Sequence, residues 1–368
     1  MVAYFSVTDL MNNPFLGMTV TEKYATIIFT FGKYLQLLFL PFNLTNDYYP
    51  YQISIHEFSS TGTIISLLAC VTVLFIAIIQ RRKKTILSFS ILYFVVTLSV
   101  VSNLVFPVGT FMSERFLFMP SLGFCLLIAY LISLIPFYQL NSFPFQKKTV
   151  TPIEVSNNFF RIKSIQYLLV IILGLYSVKT IARNAVWKNN FTLFTEDLNN
   201  SPNSAMAHHA ISSELRKAGE KSNDPRKRTE FFNKAIEEDK NAIAIHPKFT
   251  TAFYNIGVTF LLMENINSAE TAFRKAISIA PNYADALNNL GYCFIQQGKL
   301  DSAIILCTAA SKIDTTYFRP YGNLGAIYMK KMDIEKAYFY FQKAHSLETN
   351  DESINNALQG LNEIILNK

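Results

Sequence analysis

The chain has 368 residues, which is enough for two domains or one large one. Hydrophobic residues make up 51% and aromatic residues 14%, which excludes a disordered, collagen-like or disulfide-scaffold protein. The net charge of +7 is unevenly distributed: residues 1–180 carry 12 Lys or Arg against 6 Asp or Glu, and residues 181–368 carry 21 against 20. The sequence therefore joins an apolar, slightly basic half to a polar half whose positive and negative charges nearly cancel.

Four segments of the first half are long and apolar enough to predict membrane-spanning helices. They are residues 61–80, 86–106, 116–138 and 165–178, the last extended by its flanks. A further segment, residues 24–40, contains Lys33 and Gln36 near its middle, where a charge costs about 3 kcal/mol or more in a bilayer. This segment predicts either a fifth span or an interfacial helix. After an N-terminal segment, residues 1–21, we expect a transmembrane domain of about five spans over residues 22–183, with membrane lipid as its partner.

Clusters of positive residues orient these spans, because short loops rich in Lys and Arg stay in the cytoplasm. Two loops carry eight of the positive residues of the first half: Arg81, Arg82, Lys83, Lys84, Lys147, Lys148, Arg161 and Lys163. We therefore expect residues 41–61, 107–115 and everything after residue 180 to be exported, and we expect no nucleic-acid partner. Abundant Asn, Ile, Lys and Phe favour a bacterial inner membrane with periplasmic repeats; an endoplasmic reticulum membrane with luminal repeats is the alternative.

The second half has an internal period of 34 residues. Three sets of small residues recur at this spacing: Gly257, Gly291 and Gly325; Ala269, Ala303 and Ala337; and Ala276, Ala310 and Ala344. The period and these residue types resemble the tetratricopeptide repeat, a hairpin of two helices. The sequence predicts an all-α fold, a polytopic transmembrane helix bundle followed by a tetratricopeptide-repeat α-solenoid.

Four repeats are expected, over residues 205–249, 250–283, 284–317 and 318–351, after a junction helix at 184–204 and before a capping helix at 352–368. The first repeat needs an insertion of 11 residues, 218–228, whose polar composition predicts a surface loop. Asp239 and Cys307 stand where a larger aromatic residue is usual, which predicts looser packing in those two repeats.

One asparagine per repeat predicts a peptide-binding groove. Asn255, Asn289 and Asn323 each lie two residues before the repeated glycine, on the helix expected to line the concave surface. A row of carboxamides can bind a peptide backbone of any sequence, because each amide both donates and accepts hydrogen bonds. The repeats of O-GlcNAc transferase look similar at this position. The alternative is that Asn-Leu-Gly is a common feature of such repeats, without a role in binding.

Three motifs together resemble a known family. They are the loop Asp47–Ile53 (DYYPYQI), the stretch Met112–Tyr130 (MSERFLFMPSLGFCLLIAY) and Arg-Asn-x-x-Trp at Arg183–Trp187, which leads into the repeats. The resemblance is to the transmembrane and tetratricopeptide repeat-containing proteins, which are protein O-mannosyltransferase-like members of the glycosyltransferase C superfamily. It implies transfer of a sugar, mannose, from a polyprenyl-phosphate carrier to Ser or Thr of exported polypeptides.

The resemblance assigns candidate donor-binding residues to the exported side: Asp47, Tyr48, Gln52, Glu114 and Arg115. Glu114 and Arg115 are the only charges between Lys84 and Lys147, and an Arg at the mouth of a span can bind a lipid phosphate. Two alternatives remain open. Glu114 and Arg115 can form an ion pair that caps the helix or reaches the headgroups, and the tyrosines beside Asp47 can form an interfacial aromatic belt.

No acidic pair precedes the first confident span, although such enzymes carry their catalytic carboxylate in an early exported loop. We therefore expect the chain to be the C-terminal part of such an enzyme, as a truncated gene model or a degenerate paralogue, with its catalytic residues unknown. The alternative function is a non-enzymatic, membrane-anchored scaffold for protein–protein interaction. The sequence indicates no cofactor beyond the lipid-linked donor and no metal site. His56, His208 and His209 are expected to be surface residues rather than ligands.

Overall fold

A computed structural model of the protein describes residues 15, 18–40, 53–82, 85–104, 112–133 and 152–366. The regular elements in these ranges are all helical, so the predicted all-α class is confirmed. The chain divides into two units, residues 1–207 and residues 208–368.

The first unit contains the apolar helices. They are α1 (Val20–Phe39), α2 (Thr61–Arg81), α3 (Ile86–Val101), α4 (Phe118–Ser133), which follows a 3-10 turn at Glu114–Leu117, α5 (Pro152–Val186) and α6 (Asn190–Asn200). Three stretches of the described chain are long and apolar enough to cross a membrane: Thr61–Gln80, Arg115–Ile132 and Gln166–Val186. The α3 helix is equally apolar but has 16 residues. Its predicted continuation to residue 106 and that of α4 to residue 138 extend beyond the described residues.

The outer surface of α2 shows why this unit suits a membrane. Ile65, Leu68 and Phe75 are each more than 60% exposed, whereas a helix of a water-soluble domain would bury most of its large apolar side chains. The α5 helix is similarly open, with Val170, Leu173 and other apolar residues exposed along its length. Apolar helices with apolar outer faces are typical of proteins that are solvated by lipid.

The segment predicted as a fifth span or an interfacial helix forms α1, and α1 runs in the same direction as α2. The Thr26 hydroxyl accepts a hydrogen bond from the His56 backbone, 3.0 Å away, just before α2 begins. Further along, a Cβ added to Gly62 would lie 2.9 Å from Phe29, and one added to Gly32 would overlap the Ser66 side chain. Later residues of α1 therefore contact later residues of the segment that begins just before α2. Consecutive membrane crossings alternate in direction, whereas α1 and α2 run parallel.

The second unit contains the helical hairpins, and α7 bridges the boundary between the units. Its helices are α7 (Ala205–Lys221), α8 (Pro225–Ile245), α9 (Thr250–Leu262), α10 (Ile266–Ile279), α11 (Ala284–Gln296), α12 (Leu300–Ile313), α13 (Phe318–Lys330), α14 (Ile334–Leu347) and α15 (Glu352–Leu366). The last of these buries Ile354 and Leu361 against the preceding hairpin. The helix pairs repeat with the period read from the sequence, and the solenoid prediction is confirmed.

Close contact between the two helices of a hairpin explains the repeated glycine. A Cβ added to Gly257 would lie 2.6 Å from the Phe273 ring, and one added to Gly325 would lie 2.8 Å from the Phe341 ring. Both rings are almost fully buried. A side chain at either glycine would displace a core aromatic ring, so this position of the repeat selects glycine.

The junction between the apolar helices and the repeats is a short helical hairpin. The sequence predicts one continuous junction helix over residues 184–204. Instead, α5 continues to Val186 and a separate helix, α6, begins at Asn190. Arg183 closes this hairpin, because its Nη2 lies 2.7 Å from Oδ1 of Asp197, whose side chain is only 2% exposed. Trp187 is 58% exposed at the end of α5, in keeping with an interfacial anchor.

Candidate functional site

The asparagines predicted to line a peptide-binding groove lie on the first helices of the repeats. Asn255, Asn289 and Asn323 occupy equivalent places on α9, α11 and α13. An open pocket of about 580 Å³ is formed by α11, α13 and the capping helix. Its lining is both polar and apolar: Asn288, Asn289, Tyr292, Arg319, Asn323, Asp351 and Ile354 are among its residues. Such a surface suits a polypeptide, which presents backbone amides together with side chains of mixed character.

The three asparagines donate hydrogen bonds within the array. The Asn289 amide nitrogen lies 3.3 Å from the Tyr254 hydroxyl, and that of Asn323 lies 2.9 Å from the Asn288 oxygen. The Asn255 amide nitrogen lies 3.4 Å from Nε2 of His209. Each asparagine therefore ties its repeat to the one before it. Asn289 and Asn323 also line the pocket, and because an amide has two N–H groups and two lone pairs, each can bond a ligand as well. Asn255 is only 6% exposed and lies outside the pocket lining.

Half-buried tyrosines accompany the asparagines. The rings of Tyr254 and Tyr283 lie 5.0 Å apart, and the Tyr317 hydroxyl lies 3.5 Å from the Asn288 amide nitrogen. Burial raises the pKa of Tyr254, Tyr283 and Tyr317, and the Asp285 carboxylate raises it further. The phenols therefore stay neutral at physiological pH and serve as hydrogen-bonding groups. Sequence reasoning missed them, although Phe249, Tyr283 and Tyr317 follow the same period of 34.

The first repeat contains a buried polar cluster instead of the groove asparagine. Nδ1 of His208 lies 2.6 Å from Glu238, and Nδ1 of His209 lies 2.8 Å from Asp239. The prediction that these histidines are surface residues is wrong, because His208 is 9% exposed and the His209 side chain is 15% exposed. Their partners lie 30 residues later in the chain, beyond the insertion, so sequence spacing alone did not reveal the pairs.

Asp239 has a fully buried side chain, so its position is not the gap that a small residue would leave. Burial raises the pKa of the Asp239 carboxyl, whereas hydrogen bonds from His209 and Ser212 and the charge of Arg216 oppose that effect. The looser packing predicted for this repeat is replaced by a hydrogen-bonded polar core. His56, the third histidine expected at the surface, is half-buried and stacks on the Phe29 ring at 3.7 Å.

Only two of the five candidate donor-binding residues lie within the described ranges. Asp47, Tyr48 and Gln52 lie outside the described residues. The backbone of Glu114 begins the 3-10 turn, and the exposed Arg115 side chain lies 5.6 Å from the Phe116 ring. Arg115 also begins an apolar stretch, Arg115–Ile132, so it stands at the mouth of a candidate span as predicted.

Helix packing accounts for much of the motif that follows Arg115. A Cβ added to Gly123 would lie 2.7 Å from the Ser90 carbonyl oxygen, so glycine allows α3 and α4 to approach closely. The Ser121 hydroxyl donates to the Phe118 carbonyl, 2.7 Å away in its own helix. Just before the motif, the Ser113 N–H donates to the Tyr34 hydroxyl at 3.1 Å, which attaches this turn to α1.

Within the described ranges, no group of three or more His, Cys, Asp or Glu is arranged to hold a metal ion. The polar groups of the first unit there are instead engaged with each other. Nδ1 of His56 lies 3.1 Å from the Ser60 hydroxyl, and Nζ of Lys33 lies 3.1 Å from the Gln36 amide oxygen.

Comparison with known proteins supports the repeat assignment. A family profile described as the tetratricopeptide repeat matches residues 250–283 and 318–351, and a second profile with the same description matches residues 272–305. Among solved structures, the crystal structure of MamA is 24% identical, with a TM-score of 0.37 over 43% of this chain and 86% of that one. The profile matches show tetratricopeptide repeats within residues 250–351.

Curated relatives carry the name that the sequence resemblance implied. The chain is 29% identical over 172 residues to protein O-mannosyl-transferase Tmtc3 of Drosophila melanogaster, a match that covers 47% of this chain and 15% of that protein. It is 26% identical over 182 residues to protein O-mannosyl-transferase TMTC1 of Homo sapiens, covering 50% of this chain and 17% of that protein. The predicted relationship is confirmed, and the match spans less than a fifth of each of these two relatives.

Proposed function

We propose that the protein acts in a membrane-bound O-mannosylation system, in which its apolar helices hold a lipid-linked sugar donor and its repeats bind the acceptor polypeptide. The observation that carries this proposal is the union, in one chain, of apolar helices, tetratricopeptide repeats and similarity to protein O-mannosyl-transferases. The membrane is proposed to be a bacterial inner membrane with the repeats in the periplasm.

The reaction sets the chemistry that the first unit has to provide. The bond between the sugar C1 and the phosphate oxygen breaks, a bond forms from C1 to the acceptor hydroxyl oxygen, and the hydroxyl proton passes to a base. Polyprenyl phosphate then leaves as an anion, and a guanidinium can stabilise it with two parallel hydrogen bonds. Arg115 is the proposed group, because it is exposed at the mouth of a candidate span. Asp47, Tyr48, Gln52 and Glu114 are proposed to contact the donor beside it.

The repeat groove is proposed to hold the acceptor as an extended chain. The pocket between α11, α13 and the capping helix offers carboxamides, a guanidinium and apolar side chains along one surface. Hydrogen bonding to the peptide backbone does not depend on side-chain identity, so the groove suits varied exported sequences. Asn255, Asn289 and Asn323 are the proposed backbone ligands, with the hydrogen-bonding capacity left over from their bonds within the array.

Two measurements on the full chain in proteoliposomes test the two parts separately. Binding of a fluorescent, Ser- and Thr-rich unfolded peptide is measured by anisotropy, and transfer is measured with radiolabelled polyprenyl-phosphate-mannose. Asn289→Ala with Asn323→Ala should weaken peptide binding about tenfold, the effect of losing one or two hydrogen bonds. Asn233→Ala is the matched control, since this exposed asparagine lies on α8, outside the pocket lining.

Arg115→Ala should lower transfer about 100-fold without changing peptide binding, as expected when a group that stabilises the leaving anion is removed. Arg82→Ala removes the same charge from an exposed residue at the C-terminal end of α2, on the predicted cytoplasmic side. This variant should leave transfer unchanged. Peptide binding by a wild-type chain that transfers no sugar would favour the non-enzymatic scaffold. Unchanged peptide binding by the double asparagine variant would contradict the proposed role of the repeat groove in acceptor binding.

A further inference from the structure

The C-terminal end of α1 lies at the same level as the midpoints of the three apolar stretches. The Phe39 ring packs against Phe124 with centroids 4.9 Å apart, and the Tyr176 hydroxyl donates to the Phe39 carbonyl at 2.8 Å. Phe124 lies at the centre of Arg115–Ile132, and Tyr176 lies at the centre of Gln166–Val186.

The third apolar stretch, in α2, places the end of α1 at the same depth. Gly32 is level with Ser66, as the overlap of an added Cβ shows, and Phe39 follows Gly32 by seven residues, or about 10 Å of helix. An equal advance along α2 reaches residue 73, close to the centre of Thr61–Gln80. Three independent contacts therefore place the end of α1 near mid-membrane, provided that these stretches cross the bilayer.

The other end of α1 is polar and exposed. The Thr19 hydroxyl accepts from the Glu22 N–H at 3.2 Å, and Glu22 accepts from the Thr19 N–H at 2.7 Å, which together form a capping box. Because α1 runs parallel to α2, its beginning lies on the same side as the beginning of α2. The positive residues that follow α2 predict that this side is the exported one.

The chain also returns to that side after α1. Ile53 is buried in a cluster with Tyr34, Met112 and Phe94. His56 stacks on Phe29, which lies nearly three turns before the end of α1. Contacts thus locate both Phe39 and His56, the first at mid-depth and the second beside Ser60, at the start of α2.

We propose that α1 is a half-membrane helix, which enters the bilayer from the exported side, ends near mid-depth and does not cross. The first turn of α1 and residues 53–60 then lie on the same, exported side. Four crossings remain, formed by α2, α3, α4 and α5, and the repeats stay exported. This arrangement differs from a fifth span, which would place the residues before α1 in the cytoplasm.

Two chemical features of α1 fit this arrangement. Lys33 lies only one residue beyond the level of Ser66, about 8 Å from the start of α2, so its ammonium can reach the exported surface. A charge at the centre of a crossing helix would be far more costly. A helix that ends inside hydrocarbon must also satisfy its last carbonyl groups. Tyr176 supplies a donor, with its hydroxyl 2.8 Å from the Phe39 carbonyl and 3.4 Å from the Leu38 carbonyl.

The proposal is tested by labelling single cysteines in intact spheroplasts with a membrane-impermeant maleimide. The background replaces the four native cysteines, Cys70, Cys125, Cys293 and Cys307, by serine. Thr21→Cys reports the first turn of α1, while Ser59→Cys and Arg82→Cys report the two ends of α2. Labelling of Thr21→Cys and Ser59→Cys from outside, with Arg82→Cys labelled only after permeabilisation, is the expected result. Labelling of Thr21→Cys only after permeabilisation would show that α1 crosses, and would overturn the proposal.

A depth measurement separates a half-membrane helix from one lying at the surface. Trp187 is the only tryptophan, so Trp187→Phe provides a background for Phe39→Trp and for Phe124→Trp as the mid-span reference. In proteoliposomes, nitroxide labels near the middle of the lipid chains should quench both tryptophans equally, and headgroup labels should quench neither strongly. Preferential quenching of Phe39→Trp by headgroup labels would place α1 at the interface and contradict the proposal.

Discussion

The Ser212 hydroxyl donates a hydrogen bond of 2.6 Å to the Asp239 carboxylate, at the place where two other repeats pack an aromatic ring against a glycine. Phe273 on Gly257 and Phe341 on Gly325 are the corresponding pairs. Asp239 lies 34 residues before Phe273, and Ser212 corresponds to Gly257 once the insertion is taken into account. The first repeat has thus replaced an apolar contact by a buried polar one.

The buried carboxyl group should give the first repeat a pH-dependent stability. Burial raises the pKa of Asp239 in the folded state, so folding favours its protonated form. The stabilisation is complete below the unfolded pKa of about 4 and is lost as the pH rises through the folded pKa. Asp239→Asn, which stays neutral, should therefore destabilise α7 and α8 more at pH 4 than at pH 8. Hydrogen exchange of these helices in the full chain, compared between the two proteins at each pH, measures the difference.

Asp301→Asn is the control for that experiment, because its carboxylate is 87% exposed. It should shift exchange equally at both pH values. His209 and Arg216 also face Asp239, so the quantity to compare is the difference in exchange between wild type and Asp239→Asn. A difference that does not vary with pH would contradict the prediction.

Loss of Arg183 should unfold the junction hairpin. Arg183→Gln leaves the Asp197 carboxylate buried without its ionic partner, and breaking such a pair costs on the order of 3 kcal/mol. Hydrogen exchange of α6 should accelerate about 100-fold. Lys188→Gln removes the same charge from an exposed residue of the same junction and should leave α6 unchanged. Equal exchange in the two variants would show that the Arg183 pair does not stabilise this hairpin.

The turns between paired helices contain a position that glycine should improve. Glu264, Gly298 and Met332 lie 34 residues apart, and their φ angles are 59°, 74° and 61°. Left-handed backbone costs about 1 kcal/mol for a residue with a Cβ. Met332, whose side chain is 80% exposed, has little packing to lose. Met332→Gly should raise the melting temperature of the repeats, and Gly298→Ala should lower it. A lower melting temperature for Met332→Gly would show that its side chain outweighs the backbone strain.

Removing the Tyr176 hydroxyl should loosen the end of α1. Tyr176→Phe keeps the ring but leaves the Phe39 carbonyl without that donor, a loss of about 1 to 3 kcal/mol if this carbonyl is surrounded by hydrocarbon as proposed. A spin label at Leu40 should become more mobile. Tyr167→Phe, which changes an exposed tyrosine of the same helix, is the control. Equal mobility in both variants would show that the hydroxyl does not hold this end in place.

The repeats were predictable because their determinants are periodic. Gly257 and Gly325 face Phe273 and Phe341 in the same way, so one interaction recurs in the sequence at a constant spacing. The first repeat was harder to interpret. Its insertion disrupts the period, and its core pair, Ser212 and Asp239, has a polar chemistry that resembles surface residues until the structure shows its burial.

The groove asparagines show a different limit. Their spacing placed them on one surface, but the donors of Asn289 and Asn323 are directed to Tyr254 and Asn288 in the preceding repeat. Such partners belong to different helices, and their separation in the chain does not reveal which amide atoms meet.

Hydropathy and charge by themselves determined which segments suit lipid, and periodicity determined the solenoid, because both properties reside in local sequence. Only the tertiary structure decided the direction of α1. The same apolar residues serve equally well in a crossing helix and in a half-membrane helix, and the distinction depends on which residues of α2, α4 and α5 they contact. The contacts of Thr26 with His56 and of Phe39 with Phe124 and Tyr176 set that direction. They join segments up to 137 residues apart, and a local pattern carries no information about them.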